Sequence, residues 1–219
     1  MSAIIQEILP VVIMSLKVSI TSTVVAGILG VTSGILIGLA DFKIKKLLLR
    51  LLETFMSTPP VLMGLLVYLI LSRKGIFGSL ELLFTSAAMI IAQTLLVFPI
   101  ITSLTISLTQ KQGKKVEKNC QVLGASEFTT LLTIISEMKG QILTIIATGF
   151  GRAISEVGAV MIVGGNIKDS TRVMTTYIAL ETGKGNFEGA IIIGGILLVI
   201  SLTINIALHI FQGSDADEY

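Results

Sequence analysis

Two ionisable residues inside an otherwise apolar stretch are the best candidates for chemistry in this sequence. Arg152 and Glu156 lie four positions apart, and residues 140–167 contain no other charged side chain. Residues at this spacing share one face of a helix, so the guanidinium and the carboxylate can form an ion pair. A lone charge in an apolar medium is costly, and such residues are therefore candidates for a transport pathway. The sequence leaves open whether the pair locks a helix or lines a pathway.

A second group of polar residues follows this stretch and could bind a tetrahedral oxyanion. Its members are Asn166, Thr171, Arg172, Thr175 and Thr176. Gly164 and Gly165 end the apolar stretch just before them and are candidate pathway or gate residues. The hydroxyl, amide and guanidinium groups of the group are hydrogen-bond donors, and an oxyanion accepts strong, charge-assisted hydrogen bonds. The alternative is a capped surface loop, in which most of these side chains have a structural role.

The other residue types exclude several kinds of active site. Cys120 and His209 are the only cysteine and the only histidine, so no metal site and no catalytic residues are predicted. The Gly-Lys-Gly sequence at residues 183–185 lacks the earlier glycine of a phosphate-binding loop, so ATP hydrolysis by this chain is not expected. A net charge of +2 is too small and too dispersed for a nucleic-acid surface.

The elements that position these residues are expected to lie in a membrane. Of the 219 residues, 53% are hydrophobic and 14% are charged, whereas about 25% of the residues in a soluble domain are charged. Lipid accepts this much apolar surface when each backbone polar group is bonded within its own helix. The sequence therefore predicts an all-α integral membrane protein with a single transmembrane domain over residues 1–219.

Five stretches are long and apolar enough to be membrane-spanning helices. A span needs about 20 apolar residues to cross about 30 Å of hydrocarbon. The predicted spans are residues 18–40, 54–72, 82–110, 140–167 and 189–214. Pro59 and Pro60 lack backbone donors and should break or kink the start of span two, where they are also candidate gate residues.

Two further apolar segments do not meet this criterion. Residues 1–16 contain Glu7 and Pro10 and could form either an interfacial lead-in or a kinked extension of span one. Residues 173–180 are too short to cross a membrane and should be interfacial or re-entrant.

One stripe of span one consists of glycine. Gly27, Gly30, Gly34 and Gly38 recur at spacings of three and four residues. Small residues at this spacing let a second helix approach closely in lipid. We therefore expect close helix packing along this stripe, or else a flexible gating helix.

Basic residues divide unequally between the two sides of the membrane. Nine lie in the loops after span one and between spans three and four, and five lie on the opposite side, or six with Lys17. Cytoplasmic loops are enriched in lysine and arginine. We therefore expect the N-terminus outside and the C-terminus in the cytoplasm.

The longest of the predicted cytoplasmic loops, residues 110–140, should contain short helices joined near Gly124. Within it, residues 117–126 read EKNCQVLGAS, and Ile134 stands ten residues after the glycine. This segment resembles the cytoplasmic signature of ABC importer permeases, in which a glutamate and two alanines precede a glycine. In that family the segment is a coupling helix that docks into the ATP-hydrolysing subunit.

The match to this signature has two departures. Lys118 and Asn119 stand where the alanine pair is expected, and Ser136 with Glu137 replace the usual Leu-Pro. By the resemblance, the residues that couple to the ATPase are Glu117, Asn119, Cys120, Leu123, Gly124, Ala125 and Ser126.

Span four strengthens the resemblance. Residues 149–167 read GFGRAISEVGAVMIVGGNI, and the sequence TRVMTT follows at residues 171–176. These residues resemble the molybdate, tungstate and sulfate branch of the same permeases, and the continuation to Thr182 is most similar to tungstate permeases. The resemblance covers residues 16–211. The chain also has prolines where that branch commonly has them, at Pro59, Pro60 and Pro99.

The resemblance implies a type I ABC importer permease fold (MetI-like) and a transport subunit that is not an enzyme. It implies a homodimer with the pathway on its two-fold axis, two ABC subunits that bind ATP and Mg²⁺, and an extracytoplasmic oxyanion-binding protein. The chain itself would hold no cofactor and would lie in a bacterial or archaeal cytoplasmic membrane.

Tungstate is the substrate that the resemblance favours, with molybdate or sulfate as alternatives within the same family. The rival from another class is a self-contained secondary transporter or channel. Arg152 and Glu156 would then be its ion-linked site.

Overall fold

The computed structural model describes residues 2–213, and it describes the side chains of residues 8–207. Within this part the chain forms ten α-helices: α1 (Ser2–Leu39), α2 (Lys45–Met56), α3 (Pro60–Leu71), α4 (Ser86–Leu108), α5 (Lys114–Val122), α6 (Glu127–Glu137), α7 (Lys139–Ile154), α8 (Gly158–Gly164), α9 (Met174–Gly183) and α10 (Phe187–Gly213). A 3-10 turn occupies Gly78–Leu80 and a π turn occupies Thr109–Gly113. The described residues contain no strand, which confirms the all-α prediction.

Three helical segments are long and apolar enough to cross a membrane, namely residues 8–39, 86–122 and 187–207. Two further candidates are pairs of shorter helices that meet at a sharp bend. The bend is 99° between α2 and α3 and 70° between α6 and α7. If each bent pair is one span, the described part of the chain contains up to five. These two pairs cover residues 45–71 and 127–154, whereas the sequence predicted spans over residues 54–72 and 140–167.

α1 runs from Ser2 to Leu39 as one helix that contains Pro10. Of the two structures expected for the first 16 residues, residues 2–16 therefore adopt the helical extension of span one, and residue 1 lies outside the described part. The extension packs onto α9, because the Ser15 hydroxyl accepts a hydrogen bond from the backbone N–H of Met174 at 2.7 Å. The start of α1 is thus part of the packed domain.

α1 and α4 pack against each other through the glycine stripe, as the spacing predicted. A Cβ atom on Gly34 would lie 2.6 Å from the Cβ of Thr105, and one on Gly38 would lie 2.6 Å from the Cβ of Thr109. Real Cβ atoms do not approach this closely. The absence of side chains on these glycines is therefore what lets α1 touch α4 and the π turn that follows it.

Span two begins later than predicted. The sequence placed its start at residue 54, but residues 54–56 belong to α2, which turns 99° away from α3. The cause is the proline pair: Pro59 is extended, with φ −58° and ψ 131°, and Pro60 begins α3. The first turn of a helix tolerates proline because its N–H groups have no intrahelical acceptor. The predicted broken start is confirmed.

The predicted span over residues 140–167 is interrupted by a helix break, which the sequence reasoning did not predict. α7 ends at Ile154, and the seven-residue α8 begins at Gly158. Side chains stabilise the break, since the backbone N–H of Ala159 donates to the Glu156 carboxylate at 3.2 Å and the Thr175 hydroxyl donates to the Glu156 carbonyl at 2.7 Å. These polar contacts supply partners for backbone groups that the interrupted helix leaves free.

α9 is too short to cross a membrane, as expected for residues 173–180. It has ten residues, four of which are buried at its start, Met174 to Tyr177. Tyr177 and Met174 pack in one cluster with Val11 of α1, Phe150 of α7 and Ile193 of α10. α9 therefore belongs to the interior of the chain.

α4 continues through the π turn into α5 as a helical segment of 37 residues. At 1.5 Å per residue this segment is roughly 55 Å long, which exceeds the roughly 30 Å of hydrocarbon in a bilayer. Along the membrane normal, a segment of this length extends beyond the hydrocarbon. The close approach of Gly38 to Thr109 places the end of α1 beside the end of α4.

Candidate functional site

The Arg152–Glu156 ion pair forms, with 2.8 Å between Nη1 of the guanidinium and Oε2 of the carboxylate. The two partners differ in surroundings: the side chain of Glu156 is 3% exposed and that of Arg152 is 37% exposed. Glu156 also accepts the N–H of Ala159 through its other oxygen. The carboxylate is thus fully committed to the break between α7 and α8, whereas the guanidinium keeps an open side.

The start of α3 lies next to this break. A Cβ atom on Gly158 would lie 2.7 Å from Cγ2 of Val61, and one on Gly64 would lie 2.6 Å from the Cα of Ala159. α3 and α8 are therefore in backbone contact. The structure thus brings the candidate gate residues Pro59 and Pro60, at the N-terminus of α3, to the same region as the ion pair.

The residues predicted as oxyanion ligands form a hydrogen-bonded turn at the other end of α8. The Thr171 hydroxyl donates to the carbonyl of Gly164 and accepts the N–H of Ile167. Arg172 donates from Nε to the side-chain oxygen of Asn166 at 3.2 Å and from Nη2 to its carbonyl at 3.3 Å. Gly165 ends the helix with φ +72°.

The hydroxyl donors of this group are used within the chain. Thr171, Thr175 and Thr176 are buried, and each donates to a backbone carbonyl. The capped-loop alternative therefore describes these threonines, and Arg172 is half-buried against Asn166.

A polar stripe on α7 is a feature that the sequence reasoning missed. It consists of exposed polar side chains and the half-exposed guanidinium, on one side of the helix: Gln141, Thr144, Thr148, Arg152 and Ser155. A Cβ on Gly151, which lies between them, would meet no heavy atom within 4 Å. The signal was present in the sequence as polar residues recurring every three or four positions through span four.

The hydroxyls of the stripe are satisfied locally. Thr144, Thr148 and Ser155 each donate to the carbonyl four residues earlier, at 2.9 to 3.1 Å. Such hydroxyls need no further donor or acceptor, and their oxygens still present an uncharged polar surface. The stripe is therefore a polar wall that no part of the described chain covers.

The predicted coupling residues lie in and around the turn between α5 and α6. Gly124 has φ +71°, a conformation that glycine adopts without strain. The turn is closed by the Ala125 N–H, which donates to the Cys120 carbonyl at 3.0 Å, and the Ser126 side chain accepts the N–H of Thr129 at 3.2 Å. The predicted pair of short helices joined near Gly124 is confirmed.

The coupling residues divide between two roles. Cys120 is buried and Glu117 and Ala125 are half-buried, whereas Asn119 and Ser126 are exposed. The tip of the segment is apolar and open: Val122 is 87% exposed, Leu123 83% and Phe128 71%. An apolar tip of this kind is typical of an interface with another protein.

Among the described residues, no group of three or more histidine, cysteine, aspartate or glutamate side chains is arranged to hold a metal ion.

The chain is similar to known proteins both in sequence and in fold. The family described as binding-protein-dependent transport system inner membrane component matches residues 30–213. The tungstate uptake system permease protein TupB of Peptoclostridium acidaminophilum is 43% identical over 206 residues, covering 94% of this chain and 90% of that protein. A probable anion ABC transporter permease protein of Haloferax volcanii is 39% identical over 87% of this chain and 84% of that protein. A crystal structure of an amino acid ABC transporter shares the fold, with a TM-score of 0.62 at 21% identity over 93% of this chain and 92% of that one.

Proposed function

This chain belongs to the family of inner membrane components of binding-protein-dependent transport systems, the permeases of ABC importers, and from that premise we propose that it imports tungstate or a related oxyanion. The proposal draws its substrate from the relatives, of which one is named for tungstate uptake and another for anion transport. The fold supports the transport role, and the surface of α7 supports the route.

The polar stripe of α7 is the observation that carries the proposal. The hydroxyls of the stripe are bonded to backbone carbonyls, but the exposed amide of Gln141 and the open side of the Arg152 guanidinium would lose their hydration against hydrocarbon. Polar and charged residues in membrane helices therefore face a water-filled cavity or another protein surface. The exposed side of the Arg152 guanidinium offers hydrogen-bond donors on this wall at the helix break, and such donors can contact a passing anion.

A second copy of the chain completes the pathway in this proposal. The stripe lies open on one side of a chain with at most five candidate spans, too few to surround an aqueous route. Two copies related by a two-fold axis would place their α7 helices face to face. The pathway would then be lined by two polar stripes and two guanidinium groups.

The energy source is a pair of partner ATPase subunits, which would hold the ATP and Mg²⁺. The apolar tip around Leu123 and Phe128 is the surface that fits such a partner, because it projects beyond the membrane on α5 and α6 and is not covered by this chain. An extracytoplasmic protein would deliver the oxyanion to the opposite side. Closure of the ATPase pair would move the tip and open the outer mouth of the pathway.

Uptake into vesicles that contain the complete complex tests the function. We expect ATP-dependent accumulation of tungstate when the binding protein is loaded with it, with molybdate and sulfate loaded in turn as the competing substrates. Faster ATP-dependent uptake of molybdate or sulfate than of tungstate would reassign the substrate within the family. Accumulation without ATP or ATPase subunits would favour the self-contained transporter.

Cysteine accessibility tests the route itself. Thr148 on α7 and Thr203 on α10 are both exposed threonines whose hydroxyls donate to the carbonyl four residues earlier. In a Cys120→Ser background, Thr148→Cys should react with a small water-soluble thiol reagent, since thiolates form in water. Thr203→Cys should not react, because α10 is a lipid-facing helix in this proposal. Equal protection of both cysteines would contradict the assignment of the pathway to α7.

A further inference from the structure

α2 lies across the end of the membrane-spanning helices. It follows the end of α1 after five residues, and its axis makes an angle of 99° with that of α3. If α3 stands along the membrane normal, a helix at this angle runs along the membrane surface. This side is the one with more basic loop residues, and it is the cytoplasmic side by the loop charges.

The surface of α2 is divided into three strips. Leu52 is buried and Leu48 and Leu49 are half-buried on the side that packs against the rest of the chain. An apolar strip is exposed beside it, formed by Leu47 (59% exposed), Leu51 (47%) and Phe55 (49%). A basic edge lies on the remaining side and consists of Lys46 and Arg50 on the helix and Lys43 in the connector before it.

This arrangement is the pattern of a helix that lies in a membrane interface. Apolar side chains on such a helix enter the boundary with the acyl chains, and the basic side chains attract anionic headgroups. The protein covers the third side of α2, so the apolar strip and the basic edge both remain open to lipid.

A depression of about 700 Å³ adjoins the basic edge. It lies between the connector from α1 to α2 and the projecting end of α4, with Lys43 and Lys46 on one wall and Gln110 and Lys114 on the other. Phe42 and Leu49 contribute apolar surface to its lining. The depression therefore combines cations with apolar walls at the level where α1 leaves the membrane.

Two lysines of this depression already have structural partners. Nζ of Lys45 donates to the carbonyls of Gly38 and Ala40 at 3.0 and 2.6 Å, which caps the end of α1. Nζ of Lys114 donates to Asp41 at 3.1 Å. The hydrogen bond from Lys114, followed by its positive charge, holds the pKa of Asp41 below its ordinary value, so this carboxylate is ionised and neutralised.

The basic edge has no comparable contacts. The side chains of Lys43, Lys46 and Arg50 are exposed and make no hydrogen bond or ion pair with the described residues. Glu53 lies one turn beyond Arg50. The basic edge has three cations and one nearby carboxylate, Glu53. The other carboxylate of this region, Asp41, is paired with Lys114, so positive charge is in excess at the edge. An anionic group can bind here without displacing an existing partner.

We propose that α2 and the adjoining depression bind the headgroup phosphate of an anionic phospholipid from the inner leaflet. The basic edge contacts the phosphate, and the apolar strip lies against the acyl chains. A free anion would use the cations alone and leave the apolar strip unexplained. The ATPase tip lies at the far end of α5, roughly 13 Å along the helix, so the two surfaces are separate.

Lipid binding to the complete complex in detergent tests this proposal. Fluorescent phosphatidylglycerol is titrated against the wild type and against the triple variant Lys43→Gln, Lys46→Gln, Arg50→Gln. Basic residues near an anionic headgroup contribute about 1 kcal/mol each, and a factor of ten in affinity corresponds to about 1.4 kcal/mol. We expect the triple variant to lose affinity on the order of 100-fold, and a Lys43→Arg, Lys46→Arg variant to retain it.

The matched control removes three other exposed lysines from the same side, Lys111→Gln, Lys115→Gln and Lys118→Gln. It should keep the wild-type affinity for the lipid, and fluorescent phosphatidylcholine should bind all variants equally weakly. An equal loss in the control would show that diffuse positive charge is sufficient and would overturn the site. Displacement of the lipid by an equal concentration of inorganic phosphate would identify a free-anion site. If the triple variant lost the ATPase subunit but still bound the lipid, the basic edge would be a protein interface, and the lipid proposal would be overturned.

Discussion

At the scale of single residues, the Arg152–Glu156 pair combines a fixed partner with an open one. The carboxylate bonds to the guanidinium and to the N–H of Ala159, and it is buried. The guanidinium is bonded on one side and exposed on the other. Locking the break and lining a pathway are therefore compatible roles: Glu156 bonds to the break, and in the proposed pathway Arg152 would contribute to both.

We predict that Arg152→Gln destabilises the protein more than Glu156→Gln. Without the guanidinium the buried carboxylate has no counter-ion, whereas glutamine at position 156 keeps an oxygen for the N–H of Ala159. Removal of one partner from a buried pair costs about 3–5 kcal/mol, and the partial exposure of Arg152 puts the expected loss near the lower figure. Thermal unfolding of the two purified variants measures the difference, and equal melting temperatures would contradict it.

The charge-swapped protein, Arg152→Glu with Glu156→Arg, should not recover the loss. Arginine has no acceptor atom, so the N–H of Ala159 would lose its partner even though the two opposite charges remain. The melting temperature of the double variant, measured beside those of the two single variants, checks this prediction. Recovery to wild-type stability would show that charge attraction alone holds the break.

At the scale of elements, short helices meet at interfaces that leave no room for side chains. α3 has 12 residues and α8 has seven, and Gly64 brings their backbones into contact. Neither helix is long enough to cross a membrane alone. The contact between α3 and α8 stabilises the break between α7 and α8. The hydrogen bonds of Glu156 and Thr175 stabilise the same break.

We predict that Gly64→Ala lowers the stability of the protein. The new Cβ would lie 2.6 Å from the Cα of Ala159, and this backbone atom can move only if α3 and α8 separate. Overpacking of this kind costs about 1–3 kcal/mol. Gly195→Ala in α10 is the control, since its Cβ would meet no heavy atom within 4 Å. Melting temperature and abundance in the membrane are compared, and equal values for the two variants would mean that α3 and α8 separate without cost.

The α5–α6 turn gives a second test at the scale of elements. A Cβ at Gly124 would meet nothing within 4 Å, but φ +71° is a conformation that most side chains rarely adopt. The strain is about 1–2 kcal/mol for an ordinary residue. We predict that Gly124→Arg stays in the membrane but loses the ATPase subunit on purification, together with ATP-dependent uptake. Gly124→Asn should keep both, because asparagine tolerates this conformation and is small. Wild-type uptake by Gly124→Arg would reject the turn as the coupling element.

At the scale of the whole molecule, the loop charges predict the orientation in the membrane. Ser79 lies in the connection between α3 and α4, and Lys115 lies on the projecting α5; both are exposed. In a Cys120→Ser background we predict that Ser79→Cys reacts with an impermeant thiol reagent in intact cells. Lys115→Cys should react only after the cells are opened. The reverse pattern would invert the proposed arrangement of ATPase and binding-protein sides.

The sequence alone determined the class of the protein, its five apolar stretches and the family signature. Each of these depends on local information: the apolar content of a stretch of about 20 residues, the missing N–H groups of Pro59 and Pro60, or a short motif such as that around Gly124. The glycine stripe of α1 predicted close packing for the same reason, since helical periodicity alone brings its members to one face. The acidic residues at the C-terminus lie outside the described residues and received no role.

The tertiary structure alone decided where span four breaks and which polar side chains remain open. The break is stabilised by Thr175, which lies 19 residues after Glu156 in the chain, and hydropathy does not report contacts at that distance. Thr171 and Thr175 have the same donors as Thr144 and Thr148, yet the first two are buried with hydroxyls bonded to distant carbonyls, and the other two are exposed. Burial depends on the neighbours that folding supplies, so chemically identical side chains became a structural lock at one site and a polar wall at the other.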